Sequence, residues 1–98
     1  MKVCLTDSAI NDLLELRHYY EGQSAPQVGQ RFVAEILDRV EKLTDNPDIG
    51  RVVPEFCSDN IRELIHRPFR VVYLREPSTI FIVRVWRSER ILELPSAL

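Results

Sequence analysis

Arg70, Arg87 and Arg90 share the C-terminal third of the chain with His66, Tyr73 and Trp86, and these six residues are the ones best suited to phosphate chemistry or to gripping a large partner. Cleaving an RNA strand through its own 2′-hydroxyl needs a group that takes a proton, a group that gives one, and cations that stabilise the phosphorane. Arginine supplies only the last, because its pKa lies above ~12. Arg70, Arg87 and Arg90 could clamp a phosphate, which leaves His66 and Tyr73 as conceivable acid or base. Both also have a plainer reading, since a histidine at a strand-end turn is commonly solvated and a tyrosine within a strand commonly packs in the core. The chain's lysines, Lys2 and Lys42, both fall outside this stretch. A binding role draws on nearly the same residues: arginine and tryptophan dominate interface energies, so Arg70, Trp86, Arg87 and Arg90 are the candidate target-binding set.

The net charge of -2 conceals a division along the chain. Residues 1–60 carry a balance of -5, whereas residues 61–98 carry +3. This polarity predicts a cationic working surface presented by an acidic helical back. The overall negative charge argues against direct nucleic-acid binding, because affinity for a phosphate backbone grows with the number of phosphates neutralised. With 98 residues, 45% of them hydrophobic, the chain is expected to fold as a single domain over residues 1–98 around one modest core. No apolar run is long enough to span a bilayer, so a cytoplasmic protein without membrane contact is expected. Cys4 and Cys57 lack a CxxC spacing and read as packed thiols, with neither a metal site nor a cofactor implied.

The elements that must position these residues follow from periodicity. Val3–Leu5 reads as a short strand, and Thr6 as the N-cap of a helix with Asp7 in its first turn. Ile10, Leu13, Leu14, Leu16 and Tyr20 recur at helical spacing up to Gly22, which is expected to stop the helix. Ser24 is the expected cap of a second helix, with Pro26 in its first turn and a stripe of Val28, Phe32, Ile36, Val40 and Leu43 ending before Asn46 and Pro47. Residues 47–60 are rich in turn formers and read as a loop with one short extended piece at most. Three strands follow at Ile61–Ile65, Phe69–Leu74 and Ile80–Trp86, joined by short turns. The fold class is therefore α+β in the order β-α-α-β-β-β, an antiparallel helix hairpin covering one face of a small, mainly antiparallel sheet. The opposite face is left for function, although the period of two leaves the register, and hence which arginines share a face with Trp86, undecided.

In order and spacing, several segments resemble the ParE/RelE superfamily of toxins from type II toxin-antitoxin systems. They are Ala9 with Asp12-Leu13, Arg31-Phe32, Asn46-Pro47, Gly50-Arg51, Ile61-Arg62-Glu63-Leu64, Phe69-Arg70-Val71-Val72-Tyr73, and the closing Val85-Trp86-Arg87-Ser88-Glu89-Arg90. The resemblance implies a RelE/ParE-like fold and one of two activities. RelE-like members cleave messenger RNA on the ribosome; ParE-like members bind and poison DNA gyrase. The nucleases carry lysines on the strand before their Tyr-Arg-hydrophobic-Val-Tyr motif and a tyrosine in the tail, where this chain has Ile61, Glu63 and Leu94. Arg87 stands where some nucleases of the family have a histidine. The resemblance is thus closer to ParE. It implies growth arrest through gyrase and a hetero-oligomer with a cognate antitoxin. The antitoxin-contact candidates are Leu13, Tyr20, Phe32, Ile36, Val83 and Val85. A ribosome-dependent endonuclease, or an inactive relative acting only as a binding partner, remains the alternative.

Overall fold

A computed structural model describes residues 1–87. The chain runs through β1 (Lys2–Leu5), α1 (Asp7–Gly22), α2 (Pro26–Glu41), β2 (Arg51–Val52), β3 (Ile61–His66), β4 (Phe69–Arg75) and β5 (Thr79–Arg87), with 3-10 turns at Lys42–Thr44 and Pro54–Phe56. The sheet order is β1-β5-β4-β3-β2. β1 lies parallel to β5 and every other pair is antiparallel. This is the α+β arrangement expected, with one addition: the extended piece inside the 47–60 segment is β2, a two-residue edge strand on β3.

Local chemistry sets the helix boundaries. The Thr6 side-chain oxygen accepts the Ala9 N–H at 3.2 Å while its hydroxyl donates to the Ile82 carbonyl at 2.7 Å, so one residue caps α1 and ties it to β5. The periodic stripe of α1 is rotated from the expected one. Asp12 is buried, whereas Ile10 and Leu14 are 41% and 47% exposed. The cause is the ion pair and backbone bond that Asp12 makes on β5, which turn Ala9, Asp12, Leu13 and Leu16 inward. Ser24 does not cap α2. It adopts φ 58 and its N–H bonds the Glu21 carbonyl, completing the exit from α1, while Ala25 is the N-cap and Pro26 opens the helix. Gly29 lets the helices approach closely: a Cβ there would lie 3.1 Å from Tyr20 Cβ and 3.3 Å from Arg17 Cα.

The helix hairpin buries the main core against one sheet face, with Leu13, Leu16, Ile36, Val40 and Leu43 meeting Leu64, Val71, Tyr73, Ile80 and Ile82. The opposite face is only partly open, contrary to expectation. Val72 and Val83 need cover because β4 and β5 are apolar on both sides, and the segment after β2 folds over them, packing Val53 and Phe56 against Ile61, Leu74 and Phe81. That detour ends at Cys57, whose left-handed φ of 44 puts it on the surface, so the expected packed thiol is exposed; Cys4 is half-buried.

Candidate functional site

The register settles which residues share the open face. Arg70 on β4 pairs directly with Trp86 on β5 and with Ile65 on β3, forming one cross-strand row. The next row is Arg51, Glu63, Val72 and Arg84. A register shift between Val72 and Tyr73 leaves Val83 as the extra residue on β5. Alternation along each strand then places Arg51, Glu63, Arg70, Arg84 and Trp86 on one side of the sheet.

Glu63 is the hub of this face. Its carboxylate is fully buried and takes Arg70 Nε at 2.7 Å and Nη2 at 2.6 Å on one oxygen, and Arg51 Nε and Nη2 at 2.7 Å on the other. Glu55, reaching from the Pro54–Phe56 turn, meets Arg70 Nη1 and Nη2 through a single oxygen at 3.3 Å. Burial alone would lower the Arg70 pKa, but its hydrogen bonds and charge pairing with Glu63 and Glu55 outweigh that and raise it above the ordinary guanidinium value. Arg84 Nε and Nη2 bind the Asp12 carboxylate at 2.7 and 2.9 Å, while the Arg84 guanidinium stacks 4.2 Å from the centroid of the buried Trp86 ring.

The candidate acid and base stand elsewhere. His66 projects to the helix side, where Nε2 lies 3.0 Å from Glu35 Oε1 and the ring meets Phe32 edge-on. Tyr73, also on the helix side, is buried and donates its hydroxyl to the Pro47 carbonyl while accepting the Gly50 N–H, each at 2.9 Å. Burial is the main reason its phenol is pushed above 10.0, with the Gly50 bond pulling the other way. Arg87 pairs with Phe69 and so faces the helices, with its guanidinium 5.7 Å from the Tyr19 and Phe69 ring centroids and 3.5 Å from the Tyr20 hydroxyl. The structure therefore brings Arg70 and Trp86 together and puts His66, Tyr73 and Arg87 on the other side; Arg90 lies outside the described residues.

Beside α1 and the last part of β5 runs a cleft of about 290 Å³ lined by Asp12, Glu15, Leu16, Tyr19, Tyr20, Phe69, Val85, Trp86 and Arg87. Among the antitoxin-contact candidates, Tyr20 and Val85 line it; Leu13, Ile36 and Val83 are buried in the two cores, and Phe32 is half-buried between Tyr20 and Phe69. The predicted cationic surface is also largely neutralised from within. Acids of the first sixty residues reach its arginines: Asp12 holds Arg84, Glu55 holds Arg70, and Asp48 binds Arg75 at 2.9 Å. Sequence reasoning did not anticipate Asp12, Glu63 and Glu55 as site residues. An acid inside an apolar strand, Glu63, was the available signal, since buried carboxylates are paired.

Comparison with known proteins agrees with this architecture. A family profile described as the ParE toxin of the type II toxin-antitoxin system, parDE, matches residues 3–92. A solved structure described as the chromosomal ParDE TA system from P. aeruginosa superposes with a TM-score of 0.74 at 25% identity, covering 89% of this chain and 95% of that one. No curated protein matches the sequence. With the family profile spanning nearly the whole described fold, the chain belongs to the ParE toxin family of type II toxin-antitoxin systems.

Proposed function

We propose that the chain arrests growth by binding DNA gyrase and is silenced by a cognate antitoxin, acting by contact and not by proton transfer. One observation carries this reading: the residues a nuclease would need are dispersed. Arg70 lies on one face, clasped by Glu63 and Glu55, while His66 and Tyr73 lie on the other, engaged with Glu35 and with the Pro47–Gly50 turn. A phosphate held by Arg70 reaches neither of them, and on the face that Arg87 shares with them Tyr73 is fully buried, so acid, base and clamp do not meet at one reacting centre. The ParE family match and the ParDE description of the similar solved structure support the same choice and support an antitoxin as partner.

Arg70, Trp86, Arg87 and Arg90 form the proposed target contact. The cleft bordered by Tyr20 and Val85 is the proposed seat of an apolar antitoxin residue. Its aromatic lining suits an amphipathic segment that orders on binding. Purified protein should block gyrase supercoiling or trap cleaved DNA complexes at low molar ratios. Its absence in that assay, together with ribosome-dependent cleavage of messenger RNA, would reverse the reading. Failure of the chain to slow growth when expressed without a partner would favour an inactive relative instead. The Arg87→Ala, Arg90→Ala double variant should lose toxicity; growth arrest by the folded double variant would remove those two from the contact.

A further inference from the structure

We propose that the hollow between β2, the Pro54–Phe56 turn and the β3–β4 hairpin is a receptor for an acidic side chain of a protein partner, in which Glu55 is an internal stand-in that the partner's carboxylate displaces. The hollow measures about 330 Å³ and is lined by Arg51, Glu55, Ile65, Arg67 and Arg70. Three arginines therefore line it. Among the described residues Arg67 is exposed and forms no ion pair.

The two carboxylates of the site are held very differently. Glu63 is fully buried and binds at 2.6 to 2.7 Å, fixing the inner edges of Arg51 and Arg70. Glu55 has a side chain 43% exposed and touches the outer edge of Arg70 through one oxygen at 3.3 Å, longer than a well-made charge-assisted bond. The fixed acid preorganises the fork, and the loose acid occupies the place where an incoming carboxylate would make two parallel bonds. Releasing Glu55 leaves three cations facing one buried carboxylate, a local excess of positive charge on a chain whose net charge is -2. A carboxylate fits better than a nucleic-acid backbone, because the cations are confined to one hollow and two of them are already tied to the buried Glu63, and phosphate-backbone affinity needs cations spread along a track. The inference concerns acidic partners in general and stands apart from which machine the toxin inhibits.

The test uses the full chain and follows the arginine Nε–Hε signals by ¹H–¹⁵N NMR at constant ionic strength. A blocked tetraglutamate peptide is titrated in, and a single-stranded oligonucleotide of equal charge is titrated separately. The peptide should shift the Arg51 and Arg70 signals saturably. Glu55→Gln should tighten the peptide about threefold and Arg67→Ala should weaken it about threefold, the scale of an exposed ion pair. Both changes lie at exposed positions, and an unchanged thermal midpoint verifies the fold. Unsaturable shifts in wild type and Glu55→Gln alike, equal peptide affinity in all three proteins, or a stronger response to the oligonucleotide would each overturn the proposal.

Discussion

Replacing Glu63 by glutamine keeps the shape of the hub and removes its charge. Two arginines then lose their shared partner, and they differ in how much they suffer. Arg51 has a side chain 63% exposed and rehydrates, so its share is under ~1 kcal/mol. Arg70 is 10% exposed and keeps only the distant Glu55, so it approaches a buried charge left without its counterion, for which the cost is ~3–5 kcal/mol. The low end of that range, about 3 kcal/mol, is expected because Glu55 can close in. For a domain of this size that is a fall in Tm of roughly 12–24 °C. Urea denaturation of wild type, Glu63→Gln, Arg70→Met and the double variant gives the coupling directly. The double variant should cost less than the sum of the singles by at least ~1.5 kcal/mol, as residues within one ion-pair network do. A Glu63→Gln penalty below about 0.5 kcal/mol with no coupling would refute the hub. The outcome also decides how Arg70 variants are read, since under the proposed function an Arg70→Ala variant that does not arrest growth has lost stability before it has lost a contact.

Gly50→Ala should destabilise by ~1–3 kcal/mol or more, because the new Cβ falls 2.6 Å from the Tyr73 hydroxyl and 2.7 Å from the Glu63 carbonyl, and chemical denaturation measures it. Tyr73→Phe orphans the buried Gly50 N–H at a cost of ~1–3 kcal/mol. The raised phenol adds a pH signature: the unfolded chain releases this proton first, so the stability it contributes is complete below pH 10.0 and drains as pH rises from there toward the folded value. The gap between wild type and Tyr73→Phe should therefore narrow above pH 10.0, and a constant gap would contradict the burial of that hydroxyl. Asp12→Ala removes the acceptor of the Val85 N–H at 2.8 Å and the partner of Arg84, which should cost ~2–4 kcal/mol and raise amide exchange at Val85.

The layered α+β plan was legible in the sequence because each element advertises its period: Thr6 before a 3.6-residue stripe, Pro26 opening the second helix, β-branched runs between short turns. What eluded it was side-chain pairing across distance. Asp12 looked like the polar side of α1, yet it turns inward to meet Arg84, seventy-two residues along the chain, and this rotates Ile10 and Leu14 out to solvent. Ser24 has the composition of a cap, but the tight passage between α1 and α2 puts it in the left-handed region and leaves the capping place to Ala25. The open face was undecidable because a period of two is blind to which side is which, and the bulge at Val72/Tyr73 shifts the pairing partway along the strands. Charge asymmetry divided the chain into an acidic and a basic stretch, but gave no sign of their joining inside one molecule through Asp12, Asp48 and Glu55.

That internal neutralisation bears on how target and antitoxin would compete for this chain. Trp86 faces the open side while its neighbour Arg87 faces the helices, so a binder touching both must straddle the edge of β5 beside the cleft. The same cleft sets Tyr19 and Tyr20 against Arg87. Under the proposed function, an antitoxin segment seated there covers Trp86 and Arg87 and so denies the target half of its contact, leaving the Glu63 hub untouched. Silencing would then require little buried area. It would also be separable from the acidic-partner hollow at the far edge of the sheet, since Arg51 and Arg67 line that hollow and neither lines the cleft. An antitoxin complex in which Arg67→Ala leaves affinity unchanged while Tyr20→Ala weakens it by tenfold or so, the ~1.4 kcal/mol of one aromatic anchor, is the expected pattern. The reverse pattern would move the antitoxin to the open face and detach neutralisation from the β5 edge.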